Sequence, residues 1–110
     1  MILNEMKISE ADWKIWKALR LRTIDKFCEQ TFSKLQKLID GEEAIHDRHR
    51  FLYQLVTKRD RQIEELFDPL TRNRSLHQLL NLYRVGLIGD EDLSLFSDDL
   101  QQFLNDRKGL

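Results

Sequence analysis

Apolar positions along residues 10–40 recur every three or four residues, the spacing of one face of an α-helix. Ile24, Cys28, Thr31, Leu35 and Leu38 form a narrow seam, and Trp13, Trp16, Leu21, Phe27, Phe32 and Ile39 widen it. Ser9-Glu10-Ala11-Asp12 has the form of a capping box with Asp in place of the usual Glu, which sets the start of this helix. Asp40-Gly41 sets its end, because glycine enters the left-handed conformation beyond a helix without a Cβ clash. A second helix is expected over 43–67, with the seam Ile45, His49, Leu52, Val56, Arg59, Ile63 and Leu66. Its steps again alternate four and three, as in antiparallel helix pairs. The short connection predicts a helical hairpin.

If the turn centres on Gly41, facing residues have numbers that add up to about 82, since both helices rise equally per residue. Val56 then faces Phe27, Leu66 faces Trp16, and Arg59 falls near Thr23 and Asp25. A guanidinium in a seam must pair or reach out to water, so a contact of Arg59 with Asp25 or another acid of the first helix is expected, the alternative being that Arg59 marks the polar rim of a cleft.

Asp68-Pro69 breaks the pattern, and an Asp N-cap followed by Pro opens a third helix over 69–85. Its apolar face is Leu76, Leu79, Leu80 and Tyr83; Gly86 closes it, with Leu87 as the apolar residue that follows. Short pieces come after. Asp90-Glu91-Asp92 places acids at a helix start carrying Leu93 and Phe96, and Ser97-Asp98-Asp99 begins a helix with Leu100, Phe103 and Leu104. These apolar groups are too many for a free tail, so this segment is expected to fold back on the hairpin. No alternating strand pattern and no repeat is visible. The fold class is all-α: a long antiparallel hairpin, a third helix and short C-terminal helices. They form one domain over 1–110, with 1–8 expected to be disordered.

Composition narrows the functional classes. Hydrophobic residues at 41% exclude a disordered chain, and 34% charged residues suit long helices with solvated outer faces. A net charge of −1 gives no global field toward nucleic acid or an anionic membrane. The charge is uneven: residues 48–84 carry eight Lys/Arg and four Asp/Glu, while 90–106 carry six acids and no base. No apolar run reaches transmembrane length, and the N-terminus lacks the basic and apolar regions of a signal peptide. With a single cysteine, Cys28, no internal disulfide can form, and a cytoplasmic location is expected.

Glu43, His46 and His49 are spaced three apart, which places them along one side of the expected second helix as candidate metal ligands. Glu-x-x-His is the repeating unit of di-iron bundles, which use it twice; here it occurs once. The only other histidine, His77, has Arg74 at the matching position. A metal-dependent enzyme is therefore only a third reading, and no cofactor is expected. Cys28 lies in the seam and reads as a small core residue. No phosphate loop, cysteine pair, serine elbow or spaced acid pair supports catalysis. The second reading is a nucleic-acid-binding accessory protein using the basic 48–84 segment. Arg48, Arg50, Lys58, Arg59, Arg61, Arg72 and Arg74 scatter around two helices, however. A helix-turn-helix arrangement would present Asp90, Glu91 and Asp92 to phosphates.

The first reading is a non-enzymatic helical interaction or regulatory protein. A helix over 10–40 spans roughly 46 Å, whereas a compact 110-residue globule is roughly 34 Å across, so one end must protrude. Trp13, Trp16 and Leu19, with their apolar neighbours Ile15 and Leu21, cover more than one side of the first turns. The short C-terminal elements look too small to cover them, and an uncovered patch of that kind marks an interface. A two-fold homodimer through this patch is expected, with an unidentified protein partner besides; the alternative is that the third helix folds back over Trp13 and Leu19, and at least one of Trp13 and Trp16 is expected to be core. On the dimer reading Trp16→Glu or Leu19→Glu yields a folded monomer.

Overall fold

The computed structural model describes residues 6–109, and all regular structure among them is helical. Helix α1 spans Glu10–Ile39 and α2 spans Ile45–Phe67. A short 3-10 turn, Arg72–Arg74, leads into α3, Ser75–Arg84; α4 is a single turn, Asp90–Leu93, and α5 spans Asp98–Arg107. Neither long helix contains Gly or Pro, so nothing in its backbone interrupts it. The molecule measures 52 × 26 × 24 Å with a radius of gyration of 16.7 Å, well above the roughly 13 Å of a compact chain of this length.

The elongation has a simple origin. One core gathers Trp16, Leu19 and Phe27 of α1, Phe67 at the end of α2, and the apolar residues of α3, α4 and α5. From Cys28 to Leu66 no residue is fully buried. The molecule is thus a helical body with a two-helix arm. The end of α1 that protrudes is the C-terminal one. Its N-terminal half, expected to be bare, lies inside the body.

The C-terminal segment does fold back as expected: Leu93, Phe96, Leu100, Phe103 and Leu104 are all buried. The order reaches further toward the N-terminus than expected. Ile8 is buried and its carbonyl accepts from Arg72 Nη2 at 3.1 Å, so residues 6–8 are part of the body; the remainder of the segment expected to be disordered, 1–5, lies outside the described residues.

Asp12 closes the body. Ser9 Oγ accepts from the Asp12 N–H at 3.1 Å, the forward half of a capping box. The Asp12 carboxylate does not return to Ser9. It is buried, and its oxygens accept from Ser97 N (2.8 Å) and Ser97 Oγ (2.5 Å), at the N-cap of α5. One acid therefore joins the first helix to the last. Asp12→Ala removes two charge-assisted hydrogen bonds at once, with an expected loss of about 1–3 kcal/mol in urea unfolding. An unchanged midpoint would show the tie to be idle.

Three boundaries differ from expectation. Gly41 is not left-handed; among the described glycines only Gly86 has positive φ, at 82°. Arg48 explains why the left-handed step is not needed. Its Nη1 donates to Ile39 O at 2.6 Å and its Nε to Glu43 O at 2.9 Å, so a side chain satisfies the carbonyl at the end of α1 and spans the turn. Second, Asp68 caps the end of α2 and does not start α3. Its carboxylate is held by Arg20 Nη2 at 2.8 Å and is unavailable for capping, and α3 begins only at Ser75. Third, α2 starts at Ile45, which lengthens the connection and shifts the hairpin register. Arg59, and not Val56, lies against Phe27, while Arg20 reaches Phe67 O at 3.0 Å. The far end of α3 is as expected: Gly86 N donates to Tyr83 O and Leu87 N to Leu82 O, the paired bonds of a left-handed C-terminal cap.

Candidate functional site

The three residues expected to form an interface are placed by α1 against its own body. Trp16 is 0% exposed and Leu19 4% exposed, both in the core; Trp13 is half-buried at its edge with Lys17 Nζ 5.2 Å from its ring centroid. The physical reason is that α3, α4 and α5, short as they are, each bury almost their whole apolar face. Together they cover the first turns of α1. Trp16 and Leu19 are thus satisfied within the chain and are not available as a docking surface; of their apolar neighbours Ile15 is half-buried and Leu21 is 68% exposed.

Glu43, His46 and His49 are not brought together. Glu43 precedes the N-cap Ala44 and so lies in the connection rather than on the helix, and both histidines are exposed near the start of α2. Among the described residues no group of three or more His, Cys, Asp or Glu side chains is placed to hold a metal ion. The Glu-x-x-His spacing required a helix that had already begun, and it has not.

The basic segment is largely occupied by structure. Arg48 spans the hairpin turn, and Arg50 pairs with Asp47 at 3.2 Å. Arg72 pairs with Glu10 at 2.9 Å. Lys58, Arg61 and Arg74 remain exposed. Helix α4 carries Asp90, Glu91 and Asp92 in its only turn, and Asp92 is engaged by Arg22 at 3.0 Å.

Arg59 is the unusual cation. It is half-buried and stacks over Phe27 at 3.5 Å from the ring centroid. Its Nε donates to Thr31 Oγ1 and its Nη2 to Phe27 O, both at 2.8 Å. No carboxylate lies within ion-pair distance of it among the described residues, and the expected Asp25 pair does not form. Burial holds its pKa below the ordinary arginine value, with nearby Cys28 acting in the opposite sense. A planar fork that stacks and donates in two directions fits this place, and an ammonium does not. Arg59→Lys is expected to lower stability by about 1–2 kcal/mol, from one lost hydrogen bond and a weaker ring contact. Equal thermal midpoints for the two proteins would refute that role. Cys28 is half-buried beside the α1 seam, outside the position expected for it.

Tyr83 closes the other end of the body, its hydroxyl 2.8 Å from Asn105 Oδ1 and 3.2 Å from Asp90 Oδ1. Burial, then the hydrogen bond and charge of Asp90, raise its pKa above the usual phenol value. This is a structural contact between α3, α4 and α5, without an adjacent nucleophile or open cleft.

What the sequence reading missed is on the arm. Phe32 is 70% exposed, Ile39 51%, Ile45 78% and Val56 43%. At the tip, Leu38, Ile39, Ile45, His49 and Leu52 border one shallow groove with Arg48. The signal was present in the spacing: Phe32 and Ile39 lie outside the α1 seam, and Ile45, His49 and Val56 form the side of the α2 stripe that the shifted register leaves uncovered. No helix of the described residues is long and apolar enough to cross a membrane. Compared with known proteins, the chain matches no family model, no curated protein and no solved structure.

Proposed function

We propose that the chain is a non-enzymatic interaction or regulatory protein acting through protein–protein contacts, and that its working part is the two-helix arm. The observation that carries this reading is the division of the molecule. The body encloses one apolar core and leaves Leu21, Leu70, Val85 and Leu95 exposed, whereas no residue between Cys28 and Leu66 is fully buried and several large apolar ones stand in water. A contiguous exposed apolar patch on an otherwise well-buried chain is characteristic of a docking surface. The reading retains the cytoplasmic location expected from the lone cysteine, and it assigns no cofactor and no catalytic residue.

The test compares the full chain with Phe32→Glu/Ile45→Glu as immobilised baits for proteins of the native cell. Both substituted side chains are exposed, so the double variant is expected to melt with the original protein. Proteins retained by the original chain and lost by the variant support the reading. Identical retention by both baits would place any binding away from the arm and overturn it.

A further inference from the structure

The arm has one stripe more than a hairpin needs. The helices already meet along Ile24, Thr31, Leu35 and Leu38 of α1 and Arg48, Leu52, Leu55, Arg59 and Leu66 of α2, all half-buried. Beside that seam α1 carries Leu21, Cys28, Phe32 and Ile39, and α2 carries Ile45, His49, Val56 and Ile63. These steps are seven, four and seven on α1 and four, seven and seven on α2, the spacing that keeps a stripe on one side of a helix over several turns. Ile39 of α1 and Ile45 and His49 of α2 border the same groove at the tip, so the two stripes make one face. A helix with a second apolar stripe at this spacing is built to touch further helices, as in a four-helix bundle.

We infer that this face pairs with the same face of a second copy of the chain, so that two arms complete an antiparallel four-helix bundle about a two-fold axis running along the arms. The inference rests on the interaction reading above and names the partner. Three observations select a second copy. The first is charge at the tip. Beside the stripe there, the outer edge of α1 carries Asp40 and that of α2 carries His46 and Arg50, while nearer the body both edges are acidic, with Asp25 and Glu29 on α1 and Asp60 and Glu64 on α2. A two-fold axis along the arms lays each α1 over the other copy's α2, so at the tip an acid of one copy meets the basic end of the other's α2. The second is direction: α1 and the facing α2 then run antiparallel, with opposed helix dipoles. The third is area. Phe32, Ile39, Ile45 and Val56 expose on the order of 400 Å² of apolar surface per chain. Doubled by symmetry this is about 800 Å² of apolar surface, which at the usual apolar share of a little over half corresponds to a total interface of about 1,400 Å², within the roughly 1,200–2,000 Å² of a stable dimer.

The test is the mass of the full chain by light scattering and sedimentation, from low to high micromolar concentration. A reversible dimer is expected. Phe32→Glu and Ile45→Glu should each weaken it roughly tenfold or more, with unchanged far-UV circular dichroism. Asp40→Lys and Arg50→Glu should each weaken it, and the two together in one chain should restore it, because each copy's Asp40 then lies within one helical turn of the other's residue 50. A monomer at every concentration overturns the inference, as does a dimer indifferent to Phe32→Glu and Ile45→Glu. A monomer that still captures another protein through the arm overturns self-pairing alone. A monomer whose arm captures nothing overturns the interaction reading as well.

Discussion

A chain that ends at Gly89 is expected to lose its cooperative unfolding transition. The cut removes Leu93, Phe96, Leu100, Phe103 and Leu104, all buried in the body. Burying each contributes about 1.5–3 kcal/mol, and five of them rival the whole 5–15 kcal/mol by which a typical domain is stable. The cut also takes away Ser97, leaving the buried Asp12 carboxylate without its partners. The near-ultraviolet circular dichroism of the tryptophans should collapse, since Trp16 is held in that core. Helical signal from the arm should persist in part, because α1 and α2 make their contacts with each other. If the shortened chain melted at the temperature of the full one, the account of the body given above would be wrong.

Trp16→Glu is expected not to fold. A dimer-interface position on a bare surface would have given a folded monomer. A position that is 0% exposed puts a carboxylate into a closed core instead, where no cation is placed to receive it and the cost of desolvation exceeds what the body can offset. Leu19→Glu follows the same argument at 4% exposure. Trp16→Ala measures the cavity alone and should cost about 3–5 kcal/mol. Phe32→Glu supplies the contrast: at 70% exposure its effect on the stability of one chain should stay within about 0.5 kcal/mol. Urea denaturation followed by circular dichroism separates these cases. A folded Trp16→Glu protein would return that residue to the surface and restore the first turns of α1 as an interface.

The helices were legible because apolar periodicity, breakers and acids at helix starts are local properties, written within a turn or two of the residues they govern. The burial of α5 was legible for the same reason: Leu100, Phe103 and Leu104 have no use in a free tail. Positions that depend on a neighbour were not. The width of the α1 stripe was plain, but width does not say which sector meets the body, which meets α2 and which is left bare. Trp16 and Phe32 therefore looked alike. Asp12 looked like half of a capping box, since nothing near it announces Ser97. Arg59 was expected to seek an acid, because sequence displays carboxylates and does not display a backbone carbonyl such as Phe27 O, or a ring lying flat beneath the guanidinium. Arg48 was counted among surface charges when its function is to hold the turn. That one misplaced residue also carried away the hairpin register, and with it the pattern of exposed side chains on the arm.

The clasp between Asp12 and Ser97 has a consequence for the order in which the protein comes into being. It joins groups 85 residues apart, so a chain emerging from the ribosome cannot seal its body until the last helix is out. The arm needs no such wait: α1 and α2 are consecutive, and their contacts close over a short loop, which favours early pairing during synthesis. For that interval the nascent chain is a finished hairpin attached to an unfinished body. The exposed apolar face of the arm is thus complete while the body is still open.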